Sequence, residues 1–160
     1  RKCPKFIIGR IQGKCVGGGV GLASAVDYAI ASNKAEIKLS ELAVGIGPFV
    51  VGPAVERKIG TGAFSALAID ATSWRSTDWA KKKGMFAEVH ESIENMDEAV
   101  DRLANTLAQS NPQAMAEMKK TFWKGTEHWD VLLKERAAIS GKLVLSGFTR
   151  NAITKFKSKG

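Results

Sequence analysis

Three consecutive glycines, Gly17 to Gly19, separate an apolar, strand-like segment from a run of small residues with helical spacing. Successive glycines allow the backbone to turn tightly, and they let a ligand atom approach free amides at the start of a helix. The pattern predicts a strand, a glycine turn and a helix, and the turn suits an anion or a developing oxyanion. The cluster matches neither the GxxxxGKS/T nor the GxGxxG phosphate-binding pattern. Taken alone, such a run forms a tight turn more often than a binding site.

Strand and helix signals alternate in the first part of the chain, and helical signals alone follow. Apolar runs and alternation predict further strands at 6–11, 28–32, 36–40 and 85–90. Apolar spacing and capping residues predict helices at 61–71, 76–83, 95–109, 127–145 and 148–157, and another that starts near residue 112. Residues 42–53, rich in glycine and proline, predict a loop with one short helical turn. This order fits a layered α/β core followed by helices.

The composition is that of a globular protein with a sizeable core, since 44% of the 160 residues are hydrophobic and 25% are charged. No window approaches the ~20 consecutive apolar residues of a membrane-spanning helix, and the first residues lack the apolar stretch of a secretory signal. We therefore expect a cytoplasmic protein. Cys3 and Cys15 are predicted to be free thiols, because they lack CxxC or Cys/His spacing. His90 and His128 are isolated, so no metal site is predicted.

The net charge of +8 is concentrated near the C-terminus, where residues 119–160 hold ten Lys or Arg against three acidic residues. Such a segment could meet nucleic acid, an anionic membrane surface or a phosphorylated ligand. Apolar residues interleave with these charges at helical spacing, which favours a solvated helical face instead.

Glu41 is the acidic residue of most interest, because it follows the strand predicted at 36–40 and precedes the glycine- and proline-rich loop. A carboxylate at the mouth of a loop with few neighbouring charges can have a raised pKa and act as a base. Taken alone, it would more often be a surface glutamate.

Taken together, the segments 8–31 and 35–48 resemble the core of the enoyl-CoA hydratase/isomerase (crotonase) family. The family pattern is Asn-Gly-x-x-x-Gly-Gly-Gly, a helix that ends in Cys-Asp, and then Pro-Glu-x-x-x-Gly with a proline loop. The positions that match are Gln12-Gly13, Gly17 to Gly19, Asp27, Glu41, Gly45 and Pro48.

The resemblance implies an α/β fold with the ββα spiral core of the ClpP/crotonase type. Residues 1–92 would form part of that core, lacking the N-terminal part, and residues 93–160 a helical region for packing and oligomerisation. The resemblance also implies an acyl-CoA thioester as substrate, no cofactor or metal, no nucleic-acid or membrane partner, and a homo-oligomer (trimer or hexamer). It suggests that Lys155, Lys157 and Lys159 lie near the CoA phosphates of a neighbouring subunit.

For the mechanism, the resemblance assigns a backbone amide of Gly18 to the oxyanion of a thioester enolate, and it makes Glu41 the acid/base. A second amide would come from the N-terminal part of the family domain, which we expect to be absent from this sequence. The further substrate-binding positions that the resemblance implies are Cys15, Val16, Gly17 and Pro48.

One departure from the family pattern affects the predicted reaction. Hydratases of the family carry a first catalytic glutamate where this chain has Gly21, and the hydration of a double bond is helped by two carboxylates. A shift of the double bond from 3-enoyl-CoA to 2-enoyl-CoA needs one base, and the loop Gly45–Phe49 is similar to that of mitochondrial-type isomerases. We therefore favour an isomerase. A hydratase (lyase) and a catalytically silent acyl-CoA-binding protein remain alternatives.

Overall fold

The computed structural model describes the backbone of residues 1–157 and the side chains of residues 1–155. The predictions for the side chain of Lys157 and for Lys159 lie outside the described residues. The strands are β1 (Ile8–Ile11), β2 (Cys15–Val16), β3 (Tyr28–Ser32), β4 (Ile37–Lys38) and β5 (Glu88–His90). The helices are α1 (Gly18–Ala25), α2 (Gly52–Ile69), α3 (Thr77–Lys82), α4 (Ile93–Ala108), α5 (Pro112–Phe122), α6 (Trp129–Val144) and α7 (Gly147–Lys157), with a 3-10 turn at Leu42–Val44.

The chain winds as a spiral in which each turn supplies two strands and then helical structure. Strands β1, β3 and β5 form one parallel sheet in that order, and β2 and β4 form a second parallel pair. The helix α1 follows β2, and α2 follows β4 through the 3-10 turn. Parallel strands need crossover connections; the one between β1 and β3 carries the glycine turn, and the one between β3 and β5 carries Glu41. The predicted ββα spiral is confirmed.

A single large cluster of buried apolar side chains holds the two sheets, α1 and α2 together. Val20 of α1, Ile37 and Leu39 around β4, Val55 of α2 and Phe86 before β5 are all almost completely buried in it. Burial of a side chain of this size stabilises the fold by about 1.5–3 kcal/mol. The helix that begins at the glycines is therefore fixed against the strand that leads to Glu41.

Several element boundaries differ from the sequence-based expectations, as at β1 (predicted 6–11), β5 (85–90), α4 (95–109) and α6 (127–145), and two further differences lie next to Glu41. The strand predicted at 36–40 is limited to Ile37–Lys38, because the chain turns at Ser40 into the 3-10 turn. The loop predicted to reach residue 53 ends earlier, since α2 already begins at Gly52 and includes the helix predicted from Thr61. Gly60 interrupts α2 with φ of 79°, a value that glycine adopts at little cost.

A buried ion pair connects the C-terminal helices to this core. The carboxylate of Asp27, just after α1, accepts hydrogen bonds from the Ile7 amide (2.8 Å), the Trp123 indole (2.8 Å) and the Lys119 ammonium group. The Asp27 and Lys119 side chains are only 8% and 2% exposed. Burial raises the pKa of Asp27, but its hydrogen bonds outweigh this effect and lower the pKa below 3.8. Helix α5 is thereby attached to the turn between α1 and β3.

Candidate active site

The glycine turn presents backbone amides at the start of α1. Gly17 has φ of 52° and ψ of −115°, a conformation that only glycine adopts easily. Its amide donates to the Lys38 carbonyl (2.9 Å), and its own carbonyl accepts from Val20 and Gly21 in the first turn of the helix. Helix geometry leaves the first amides of α1 without intrahelical acceptors. Gly18, the first residue of α1, is exposed, so its amide is open to a ligand.

The carboxylate of Glu41 lies directly against this turn. The position that a Cβ would occupy on Gly17 is 3.2 Å from Oε1 of Glu41 and 3.6 Å from Cδ. The Glu41 carbonyl accepts hydrogen bonds from the amides of Val44 (3.2 Å) and Ile46 (2.9 Å), which fixes the backbone of the 3-10 turn. The acid predicted to be catalytic therefore contacts the residue next to the predicted oxyanion donor.

The surroundings of Glu41 favour its protonated form. Oε2 is buried and has no hydrogen-bond partner among the described residues. Burial raises the pKa of Glu41 above its ordinary value of 4.5, and a hydrogen bond from its own backbone amide opposes the rise only in part. A carboxyl group with a raised pKa and a free oxygen can both accept and return a proton.

The parallel pairing of β2 with β4 brings these two groups together. Val16 lies opposite Lys38 in the register, so that the residues following both strands, Gly17 and Glu41 among them, leave the sheet on the same side. Because the carboxyl ends of parallel strands meet at one edge, Gly17 and Glu41 are neighbours in space although 23 residues lie between them in the sequence. Glu41 is thus held beside Gly17, the residue before Gly18, and the catalytic roles of Gly18 and Glu41 stay predictions.

A cavity of about 610 Å³ is lined by residues next in sequence to the site, Val16 before Gly17 and Ser40 before Glu41, whereas Gly17, Gly18 and Glu41 are not among its lining residues. Its wall combines apolar side chains with two hydroxyls and two lysines, contributed by β2, the segment from β4 to the 3-10 turn, the end of α2 and α7. The lining residues are Val16, Lys38, Ser40, Ala43, Val44, Ala71, Thr72, Ala152 and Lys155. The predominantly apolar wall with a few polar groups is typical of a small-molecule site.

Comparison with known proteins identifies the family. The sequence model of the enoyl-CoA hydratase/isomerase family matches residues 1–155. The chain belongs to this family. The match extends from the N-terminal segment through the glycine turn and Glu41 to the helix α7, and so covers almost the whole chain.

Individual family members match at low identity. A mitochondrial Delta(3,5)-Delta(2,4)-dienoyl-CoA isomerase from Pongo abelii is 29% identical over 136 residues, which cover 79% of this chain and 39% of the isomerase. A short-chain-enoyl-CoA hydratase from Clostridium acetobutylicum is 27% identical over 157 residues, 97% of this chain and 59% of the hydratase. The chain therefore spans about 40–60% of the length of these two relatives.

Solved structures of the family share the fold. The crystal structure of an enoyl-CoA hydratase from Mycobacterium avium superposes with a TM-score of 0.89 at 23% identity, covering 99% of this chain and 62% of that one. The α/β fold of the crotonase type, which the sequence resemblance implied, is thus confirmed.

The position at which the resemblance places a first hydratase glutamate, Gly21, is closed in this chain. A Cβ on Gly21 would lie only 2.6 Å from Cγ1 and 2.8 Å from Cβ of Val51. Real side chains do not approach so closely, so this position accepts only glycine unless Val51 moves. At Gly21, where the resemblance predicts a carboxylate in hydratases, α1 instead packs directly against Val51, the residue before α2.

The remaining sequence-predicted site residues have different surroundings. Val16 is 47% exposed and lines the cavity. The Cys15 side chain packs against the core instead, where burial raises the pKa of its thiol, and Sγ donates to the Gly13 carbonyl (3.6 Å). Pro48 lies outside the residues that line the cavity, and its carbonyl accepts from the Gly52 amide (2.7 Å) at the start of α2. Their roles in substrate binding stay predictions.

Helix α7 covers the turn that follows Glu41. The buried Thr149 hydroxyl donates to the Gly45 carbonyl (3.2 Å), and the Phe148 ring lies 2.5 Å from the position of a Cβ on Gly45. Gly45 has φ of 82°, which favours glycine. Sequence reasoning missed Lys38, Ala71, Thr72 and Ala152 as cavity residues, because they meet only through long-range packing. For Lys38 a signal existed, since it lies in the strand that leads to Glu41.

Other potential centres are absent from the part of the chain that the structure describes. No three His, Cys, Asp or Glu residues within it are grouped so as to hold a metal ion. His90 ends β5 and contacts Glu88 (3.1 Å), and His128 precedes α6. No described helix is long and apolar enough to cross a membrane.

Proposed function

We propose that this family member shifts a double bond in an acyl-CoA thioester, from 3-enoyl-CoA to 2-enoyl-CoA. The observation that supports this is the free, buried Oε2 of Glu41 in a carboxylate that contacts the glycine turn. Among the described residues of the site, Glu41 supplies the carboxylate, and the position of a second one is closed by Val51. A one-base reaction suits this arrangement better than a two-base reaction.

In the proposed reaction, Glu41 takes a proton from C2, and the electron pair of that C–H bond forms an enolate with the thioester carbonyl. The Gly18 amide donates to the enolate oxygen. The protonated Glu41 then returns the proton to C4, the carbonyl re-forms, and the double bond lies between C2 and C3. A positioned acid/base contributes typically 10²–10⁴-fold to such a step, and a fixed oxyanion donor about 10²–10³-fold.

The experiment measures turnover of 3-enoyl-CoA and exchange of the C2 proton with solvent deuterium for the protein and for Glu41→Gln. The amide cannot accept the proton, so we expect both rates to fall by at least about 100-fold. The matched control is Glu98→Gln, because Glu98 is exposed on α4, far along the chain from the site. Unchanged exchange in Glu41→Gln would show that another group is the base.

A second candidate is the hydration of 2-enoyl-CoA, which the match to the clostridial short-chain-enoyl-CoA hydratase over 97% of this chain favours. Incorporation of ¹⁸O from labelled water into a 3-hydroxyacyl product would support hydration over isomerisation. Binding of a saturated acyl-CoA without any C2 exchange would instead support a catalytically silent binding protein, the alternative that the closed position at Gly21 favours.

We also propose that the protein forms a homo-oligomer, either a trimer or a hexamer. Large apolar side chains on and around the last two helices are exposed, with Val131, Leu145 and Phe148 at 62%, 65% and 69%. Exposed apolar surface marks protein contact sites, and we propose that these side chains are covered by a second copy of the chain. Light scattering coupled to size exclusion would measure the mass, and a monomer at micromolar concentration would contradict the proposal. A cytoplasmic location also stays a prediction.

A further inference from the structure

Lys38 lines the cavity described above, and its ammonium group lies over an indole ring. Its Nζ is 4.5 Å from the centroid of the Trp74 ring, and Nζ of Lys14 is 4.7 Å from the same centroid. The two cations are therefore no further apart than the sum of those distances. At such a separation, within about one Debye length, they repel each other.

Only one of the two lysines has its charge compensated by a carboxylate. Nζ of Lys14 forms an ion pair with Glu36 at 2.8 Å. Within residues 1–155, no carboxylate forms an ion pair with Lys38, so its charge is offset by the electron-rich face of the Trp74 ring alone. Lys38 thus brings a positive charge to the cavity that still lacks an anionic partner.

The composition of the cavity wall indicates what kind of ligand would supply that anion. Besides Lys38, the lining residues include Ser40 and Thr72, which bear hydroxyl groups, and a second lysine, Lys155; the others are alanine and valine. No Asp or Glu is among them. The cavity is therefore suited to a ligand that combines an apolar stretch with an anionic group.

The backbone fixes Lys38 relative to the reacting centre. The Lys38 carbonyl accepts a hydrogen bond from the Gly17 amide (2.9 Å), and Val16 lies opposite Lys38 in the β2–β4 pair. The start of the Lys38 side chain is thus held at a constant distance from the Gly18 amide. When the carbonyl of a thioester binds the Gly18 amide, a fixed part of the ligand would therefore lie beside Lys38.

We propose that Lys38 is a specificity-determining residue that binds an anionic group of the thioester ligand. This inference rests on the proposed function, because it takes the cavity as part of the thioester site. The anionic oxygens come either from a carboxylate at the far end of the acyl chain or from a phosphate of the CoA carrier. Both present the same chemistry to an ammonium group, and the experiment below separates them.

The experiment titrates the protein with four unreactive probes by calorimetry and ligand-observed NMR. They are butyryl-CoA, glutaryl-CoA, and the butyryl and glutaryl thioesters of N-acetylcysteamine, which lacks phosphates. The variants are Lys38→Met, which keeps an apolar stem without the charge, and Lys38→Arg, which keeps the charge. Lys34→Met is the matched control, because Lys34 is exposed in the turn before β4.

We expect Lys38→Met to weaken the binding of anion-bearing probes about tenfold, as for the loss of a charge-assisted contact. Lys38→Arg and Lys34→Met should bind within about twofold of the unmodified protein. If Lys38→Met loses affinity for both glutaryl probes, Lys38 binds a carboxylate on the acyl chain. If it loses affinity for both CoA probes, Lys38 binds a phosphate. The butyryl N-acetylcysteamine thioester has no anion and should be unaffected by all three changes.

Equal affinities of Lys38→Met and the unmodified protein for all four probes would overturn the inference, as would an equal loss for all four. Binding of none of the probes by the unmodified protein would also overturn it. These measurements need no turnover. A protein that binds the probes through Lys38 but exchanges no C2 proton would therefore contradict the proposed function and leave this inference standing.

Discussion

Val51 fills the space that a side chain on Gly21 would need, because its Cγ1 lies 2.6 Å from the position of a Cβ there. Gly21 is buried in α1, and Val51 immediately precedes α2. The two helices pack closely at this point. In this family member, a contact between two apolar groups occupies the place where hydratases of the family were expected to carry a carboxylate.

Replacement of Gly21 by alanine should destabilise the protein, although alanine in a helix interior ordinarily gains up to about 1 kcal/mol over glycine. The added methyl group overlaps Val51, and overpacking of this kind costs about 1–3 kcal/mol. Urea denaturation would measure the change. The double variant Gly21→Ala/Val51→Ala should recover much of the loss, since the clash is removed. Additive losses in the double variant would show that Val51 is not the cause.

Replacement of Gly18 by proline should remove the predicted oxyanion donor with little effect on the fold. Gly18 is the first residue of α1, where proline is well tolerated, and nothing lies within 4 Å of a Cβ built on it. We expect the C2 exchange rate to fall by about 10²–10³-fold. Gly18→Ala keeps the N–H group and is the control. Equal rates in the two variants would exclude the Gly18 amide as a donor.

The raised pKa of Glu41 predicts a specific dependence of stability on pH. Burial makes the native state bind the Glu41 proton more tightly than the unfolded chain, whose ordinary pKa is 4.5. The free energy of unfolding should therefore fall as the pH rises from 4.5 through the native-state pKa. Glu41→Gln lacks this titration, so its stability relative to the unmodified protein should increase over that window. Parallel urea curves for both proteins across this pH range would test the difference, and a constant difference would contradict it.

The buried pair of Asp27 and Lys119 should show strong coupling. Asp27→Asn and Lys119→Met each leave one buried group without its partner, and each should lower the free energy of unfolding by about 3–5 kcal/mol. The double variant should lose less than the sum of the two. Because the pKa of Asp27 is lowered, the stabilisation by its carboxylate should disappear as the pH falls below 3.8 through the native-state pKa. A double-mutant cycle in urea at neutral and acidic pH would measure both effects.

Much of the fold could be predicted from local signals in the sequence. The strand at Tyr28–Ser32 was predicted with its observed ends, and Ser76 caps α3 through a bond from the Trp79 amide, as its position before the helix suggested. The glycine turn was indicated by its residue types, because successive glycines favour a tight turn. The roles of Gly18 and Glu41, in contrast, were implied only by the family resemblance.

The parts that could not be predicted depend on contacts between distant segments. The strand β4 is short because the chain turns at Ser40, and Ile37 also exchanges backbone hydrogen bonds with Arg75, which no local pattern indicates. Nor does the sequence around Val51 show that it faces Gly21. The cavity wall is assembled in the same way, since Thr72 and Ala152 come from elements far apart in the chain.

The strand pair β2–β4 consists of only two residues on each side. The backbone pairing that sets the Gly17 turn beside Glu41 consists of this short ladder, in addition to the packing of Val20, Ile37 and Leu39 in the core. A local opening of so few hydrogen bonds costs far less than global unfolding. The proposed activity is therefore expected to be lost before the tertiary structure unfolds. Faster hydrogen exchange of the Cys15 and Gly17 amides should be the first sign of this loss.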